Sequence, residues 1–174
     1  MEEKMMKKML SYQFSLILLM FTFWGCGSSL TVAEKEKMAM EVQEAVEQSS
    51  FLFEATYAYP TGYKPVYLSP YYDVTLSPDT VKAYLPYYGR AYRAPMDPRE
   101  GGFQFTSTDF TYRYAPGKKR GSWMAKITIL DLDRPVTFSF DIWGNGTSRL
   151  LVNDFNRQSI SFQGDISISD EEKQ

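Results

Sequence analysis

No histidine occurs in the 174 residues, and only one cysteine does. The first absence removes Ser-His-Asp and Cys-His nucleophilic sites, together with histidine-ligated zinc. The second makes an internal disulfide impossible and leaves no thiolate cluster for a metal. There is no Gly-x-Gly-x-x-Gly and no phosphate-cradling loop. Downstream of Trp24 no apolar run approaches the roughly 20 residues of a membrane-spanning helix. Charge of neither sign dominates: 19 basic and 21 acidic side chains give a net charge of −2. That balance gives no electrostatic reason to expect a nucleic acid partner. Carboxylates, Tyr, Ser, Lys and Arg are what remain for chemistry, with no metal site and no cofactor expected.

The single cysteine is the most informative residue. Lys4, Lys7 and Lys8 precede an apolar stretch of 11 residues, Phe14 to Trp24, and Gly25 directly precedes Cys26. This order reads as a secretory signal over residues 1–25 ending at a lipoprotein cleavage site. Cys26 would then carry lipid, palmitate included, and residues 26–30 would form a lipidated linker. Phe23 and Trp24 are bulkier than the aliphatic and small residues usual in that box. The competing reading is a buried structural cysteine behind an ordinary signal. The acidic pair Glu2 and Glu3 is unusual for such a leader, and a start at Met5 or Met6 would remove it. The chain left after cleavage suits one domain.

Residues 31–49 read as a helix. Thr31 and Glu34 match a capping box. Met38, Ala39, Val42, Ala45 and Val46 recur at helical spacing and form one apolar stripe. From residue 50 to residue 168 the pattern has period two. Phe51, Phe53, Ala55, Tyr57 and Tyr59 are expected on one strand face. Ser77-Pro78-Asp79 predicts a hairpin turn, Pro116 to Gly121 an exposed turn, and Asn145-Gly146 a two-residue hairpin with both residues at positive φ. About eight or nine short strands follow from these runs. The fold class is therefore mainly β: a curved antiparallel sheet, sandwich or barrel-like, with one N-terminal α-helix. Residues 169–174 read as a polar tail.

Aromatic residues are abundant where charge is not. Ten of the 13 Tyr lie between Phe51 and Tyr92, more than a core of this size requires. Tyrosine joins a flat apolar face to a hydroxyl, which suits stacking on sugar rings or anchoring a protein. It is also a good strand former that covers sheet edges. Tyr63, Tyr67, Tyr87 and Tyr88, with Arg90 as a five-donor grip for an anion, are the candidate binding residues. For the loop from Leu85 to Arg90 a purely structural role is the alternative. Asp131, Asp133, Asp97 and Glu100 form the carboxylate set that a glycan hydrolase would need. The bland reading is solvated turns.

The run Ala83-Tyr84-Leu85-Pro86-Tyr87-Tyr88-Gly89-Arg90-Ala91-Tyr92, with Gly101-Gly102-Phe103-Gln104-Phe105 and Ser161-Phe162-Gln163-Gly164 downstream, resembles domain-of-unknown-function family 4251. These are secreted proteins and lipoproteins of Bacteroides-type bacteria. The resemblance spans about Phe51 to Ile168. It implies a β-rich fold and the envelope of a Gram-negative anaerobe, and it transfers no catalytic residue. Within such an envelope, Gly27 after Cys26 favours the outer membrane. The absence of acids before Glu34 favours the periplasm-facing leaflet. Asp79-Thr80-Val81 looks like the site at which these bacteria O-glycosylate exported proteins, making Thr80 a candidate. The alternative for Thr80 is a turn residue making local backbone bonds.

The expected function is a non-enzymatic binding or interaction module, tethered to the membrane by lipid, with an envelope protein or glycan as partner. A carboxylate-based glycan hydrolase, or a carrier of an apolar ligand inside a barrel, are the alternatives.

Overall fold

The computed structural model describes residues 30–92, 101–132 and 135–168. Val32–Gln174 forms one compact unit. Its helix, α1, spans Val32–Glu47. The expected stripe is the one that packs: Val42, Ala45 and Val46 are buried, Met38 and Ala39 half-buried, and Glu36, Glu44 and Glu47 exposed. Lys37 and Glu41 pair across one turn at 3.6 Å, an exposed contact worth about 0.3–0.5 kcal/mol. The helix ends in a Schellman arrangement. The Ser49 N–H donates to the Val46 carbonyl and the Ser50 N–H to the Ala45 carbonyl. Ser49 itself adopts φ 56°, a position that favours glycine.

Nine of the ten strands among the described residues follow from the period-two runs, and the two-residue one at Val66–Tyr67 does not. The ten are β1 (Phe51–Pro60), β2 (Val66–Tyr67), β3 (Asp73–Leu76), β4 (Val81–Pro86), β5 (Gly102–Ser107), β6 (Phe110–Pro116), β7 (Ser122–Ile129), β8 (Val136–Trp143), β9 (Thr147–Asp154) and β10 (Ile160–Ser167). Every pairing is antiparallel. The order is β5-β4-β3-β1-β10-β9-β8-β7-β6, with β2 added beside β1. Strands adjacent in sequence are thus mostly adjacent in space, and β10 returns to pair with β1. The result is a nearly closed antiparallel sheet, open at the β5–β6 seam.

At that seam the chain turns a corner over two residues, Thr108 and Asp109, without forming a hairpin. Ser107 is buried. Its hydroxyl lies 2.6 Å from an Asp131 carboxylate oxygen and 3.3 Å from the Asp109 carbonyl, and the Leu130 N–H also donates to that carbonyl. The expected turns at Ser77–Thr80 and Gly117–Ser122 are closed by backbone hydrogen bonds. The β8–β9 turn differs from the expected one. The Gly146 N–H donates to the Trp143 carbonyl, and of Asn145 and Gly146 only Gly146 has positive φ. This is a type I turn followed by a left-handed glycine, which places Asn145 where its side chain accepts from the Thr147 N–H and hydroxyl.

Inward-facing side chains fill the ring from opposite walls. Phe51 and Phe53 of β1 meet Phe140 of β8 edge-on at 5.5 and 5.4 Å. Phe103 and Phe105 of β5 meet Phe138 of β8 at 6.3 and 5.9 Å. The buried side of α1 joins the same core. The Tyr112 hydroxyl on β6 donates to the Val46 carbonyl at 2.7 Å. At the other end Ala39 lies against Gly144 of the β8–β9 turn.

One departure from the sequence reading controls the outer surface. Strand β1 does not keep a single face. Its register against β10 shifts between Ala55 and Tyr57. Phe51, Phe53 and Ala55 point inward, but after the extra residue Thr56 the inward positions are Ala58 and Pro60. Tyr57 and Tyr59 therefore face out. At the same point β1 changes its other neighbour, from β3 over Phe51–Glu54 to β2 at Tyr57–Ala58. Gly164 lies opposite Ala55, and a Cβ on it would collide with the Glu54 carbonyl oxygen.

Two stability changes are expected, each read as a shift in urea midpoint. Ser49→Gly should stabilise the domain by about 1 kcal/mol, because it removes the left-handed penalty of a side chain. Gly164→Ala should destabilise it by about 1–3 kcal/mol through overpacking against rigid backbone. An unchanged midpoint for Gly164→Ala would mean that the bulge absorbs the methyl.

Candidate functional site

The bulge gathers aromatic rings on the outside of β1. Tyr57 and Tyr59 are 39 % and 37 % exposed, with ring centroids 6.4 Å apart. Strand β2 is only two residues long, yet its register places Tyr67 opposite Tyr57. Their rings meet edge-on at 5.3 Å, and Tyr67 remains 69 % exposed. Three tyrosine rings therefore stand side by side on the outer surface, placed there by the backbone pairing.

Across the β1–β10 pairing the surface becomes polar. The Tyr59 hydroxyl donates to Gln163 Oε1 at 2.9 Å. Gln163 is opposite Arg149 on β9. An Arg149 guanidinium N–H reaches the Ser161 hydroxyl at a long 3.5 Å. Trp143, half-buried at the end of β8, stands on the far side. Tyr59, Trp143, Thr147, Ser148, Arg149 and Gln163 enclose a hollow of about 410 Å³. The arrangement offers ring faces, an amide and a guanidinium in one open depression, and among the described residues no carboxylate or thiol lines it.

The sequence-predicted residues fall in different places. Tyr67 joins the outer cluster. Tyr63 lies in the turn after β1, 58 % exposed, with its N–H donating to the Pro60 carbonyl. Tyr88 is exposed at the end of β4, near Tyr72, which stacks on Tyr84 at 5.4 Å. Burial, with a smaller contribution from Tyr72, pushes the Tyr88 hydroxyl pKa up. Asp73, beside the same stack, has its carboxyl pKa raised by burial, which Lys82 partly offsets.

Tyr87 and Arg90 belong to a structural stitch. The Tyr87 hydroxyl lies 2.9 Å from the Arg90 carbonyl and 3.0 Å from the Gln158 carbonyl. Burial raises its pKa, partly countered by the Gln158 hydrogen bond and by Arg157. The Gln158 N–H donates to the Arg90 carbonyl, and the Tyr92 N–H to the Asn156 carbonyl. The arginine that secures this loop is Arg157. It sits over the Tyr87 and Phe103 rings, 5.2 Å from each, donates to the Gly102 carbonyl at 3.0 Å and pairs with Asp154 at 3.5 Å. Arg90 contributes through its backbone.

Thr80 lies half-buried in the β3–β4 turn, its hydroxyl donating to Asp79 at 3.1 Å. Asp131 is exposed and accepts the Ser107 hydroxyl. Cys26, Asp97, Glu100 and Asp133 lie outside the described residues, as do the leader and the 169–174 tail. Among the described residues no group of three or more His, Cys, Asp or Glu could hold a metal ion. Sequence reasoning did not select Tyr57, Trp143, Arg149 or Gln163. Arg149 and Gln163 could have been found as outward positions of alternating strands. The bulge that turns Tyr57 outward left no sequence signal.

Comparison with known proteins agrees with the fold. A crystal structure of a DUF4251 family protein from Bacteroides eggerthii DSM 20697 superposes with a TM-score of 0.56 at 12% identity, covering 76% of this chain and 88% of that one. No curated protein matches the chain. The sequence profile described as Domain of unknown function (DUF4251) matches residues 33–166, so α1 is part of the family unit, ahead of the Phe51 boundary at which the sequence resemblance begins. On that match over most of its length, the chain belongs to the DUF4251 family.

Proposed function

We propose that this protein is a lipid-anchored binding module of the bacterial cell envelope, non-enzymatic and held at the periplasm-facing side of the outer membrane. Its working surface is the outer face of β1, β2, β10 and β9. The observation that carries this reading is the exposed row Tyr57, Tyr59 and Tyr67. None of those rings belongs to the core, while Tyr is among the residues that dominate binding surfaces. A barrel-sized ring whose opposite walls touch through Phe51, Phe53, Phe103, Phe105, Phe138 and Phe140 has little room along that line for an apolar cargo. Asp131 is engaged by Ser107 at a structural corner, which argues against its service as a hydrolytic acid. The tether is read from Cys26 and the apolar stretch before it.

Two experiments test the parts separately. Metabolic labelling with palmitate should mark the wild type, and Cys26→Ala should lose the label and move to the soluble fraction. A labelled Cys26→Ala protein would remove the anchor. Crosslinking in living cells followed by affinity capture should recover a specific envelope protein or glycan. The triple change Tyr57→Ser, Tyr59→Ser, Tyr67→Ser should cut recovery by about tenfold or more. Amide spectra of the triple variant should still show a folded domain, because none of the three rings belongs to the core. By contrast Tyr87→Ala should destabilise folding. Undiminished capture by the triple variant would refute the assigned surface.

A further inference from the structure

We propose that the hollow between Tyr59 and Trp143 takes a carboxylate-bearing sugar of an acidic glycan, with Arg149 receiving the carboxylate. The inference rests on the reading of this face as a ligand surface, and it names the ligand class.

Arg149 carries five N–H donors. Among the described residues its one hydrogen bond is the 3.5 Å contact to Ser161, and it makes no ion pair. Gln163 has its carbonyl oxygen engaged by the Tyr59 hydroxyl, which leaves its amide N–H₂ available. The two aliphatic hydroxyls of the lining are already donating: Thr147 to Asn145 Oδ1 and Ser148 to the Asp141 carbonyl. Among the described residues no Asp or Glu lines the hollow. The side-chain N–H groups left over are those of Gln163 and of the cationic Arg149. A complementary ligand brings acceptors and negative charge. Two exposed acids share this outer face, and among the described residues neither forms an ion pair with Arg149. Asp141, opposite Arg149 in register, lines a neighbouring hollow with Lys118 and Lys119. Asp165, opposite Thr147, lies outside the lining.

Shape and ring chemistry narrow the class. About 410 Å³ is at the lower end of small-ligand sites, and it is far from the broad contact of a protein partner. A bare phosphate or carboxylate would need the guanidinium alone. Here Tyr59 and Trp143 add two ring faces beside it, which suit the apolar C–H face of a pyranose. The guanidinium fork matches a carboxylate oxygen for oxygen. Together these select a sugar ring that itself bears the acid.

The test is a titration of the full-length protein in detergent with oligogalacturonate and with its methyl ester. The ester keeps the rings and lacks the charge. The readout is the Trp143 indole N–H resonance, assigned with Trp143→Phe. The acid should shift it and bind about tenfold more tightly than the ester, the worth of a charge-assisted hydrogen bond. Arg149→Gln should bring the acid down to the ester, and Arg149→Lys should fall between, since a point charge lacks the fork. Amide spectra of both variants report folding. Added salt should weaken the acid and leave the ester unchanged. Equal binding of acid and ester, or an Arg149→Gln variant that binds the acid like wild type, overturns the carboxylate assignment. An equal response to an acetyl-capped polyglutamate peptide overturns the sugar. Silence toward both sugars, with tyrosine-dependent capture in cells intact, overturns the ligand class and leaves the binding-module reading standing. Silence in both experiments overturns both.

Discussion

The pairing of β1 with β10 is the contact on which the rest of this domain depends. It joins the first strand to the last across more than a hundred residues of sequence and turns an open meander into a nearly closed ring. It also contains the irregularity that gives the ring its outer character. Beyond Ala55 the register shifts, and Gly164 sits against the β1 backbone where no side chain fits. The bulge and the glycine are complementary: one strand carries an extra residue and the other removes the atoms that would obstruct it. Phe51 and Phe53 remain in the core, and two residues on from Ala55 the tyrosines of the same strand stand in solvent.

That division separates stability from recognition. The interior is held by phenylalanine contacts between β1, β5 and β8, and by α1, whose C-terminal carbonyl is tied to Tyr112. Burial pushes the Tyr112 hydroxyl pKa well above its ordinary value, with a smaller push from Tyr114, so it remains a donor. The exterior of β1, β10 and β9 carries rings and hydrogen-bonding groups that the core does not use. Tyrosines therefore serve two roles in this one domain. Tyr87 and Tyr112 anchor backbone carbonyls, whereas Tyr57, Tyr59 and Tyr67 present faces.

The seam between β5 and β6 shows how the ring stays open. Two residues are enough for a hairpin, but Ser107 and Asp131 fix a corner instead. Asp131 had the look of a reactive carboxylate in the sequence because it sits near a second acid at a strand end. Its partner Ser107 is 24 residues away, and no local pattern connects them. The same holds for the loop after β4. Arg90 stands inside the distinctive tyrosine run, but the guanidinium that holds the loop belongs to Arg157, in the turn before β10.

Much of the fold was legible in the residues themselves. Period-two alternation defined the strands, helical spacing defined α1, and Ser77-Pro78-Asp79 and Asn145-Gly146 marked their hairpins, because each of these signals is local. The family could be recognised from one tyrosine-rich run. Every relation between distant strands had to wait for the folded chain: the return of β10 to β1, the bulge that reverses Tyr57 and Tyr59, and the meeting of Tyr59, Gln163, Arg149 and Trp143 around one hollow. A bulge inserts a residue without altering composition or turn chemistry. Cross-strand neighbours are set by register, which depends on both strands at once. Residue types limit which side chains can meet a ligand, and the near-closure of the sheet selects which of them stand together.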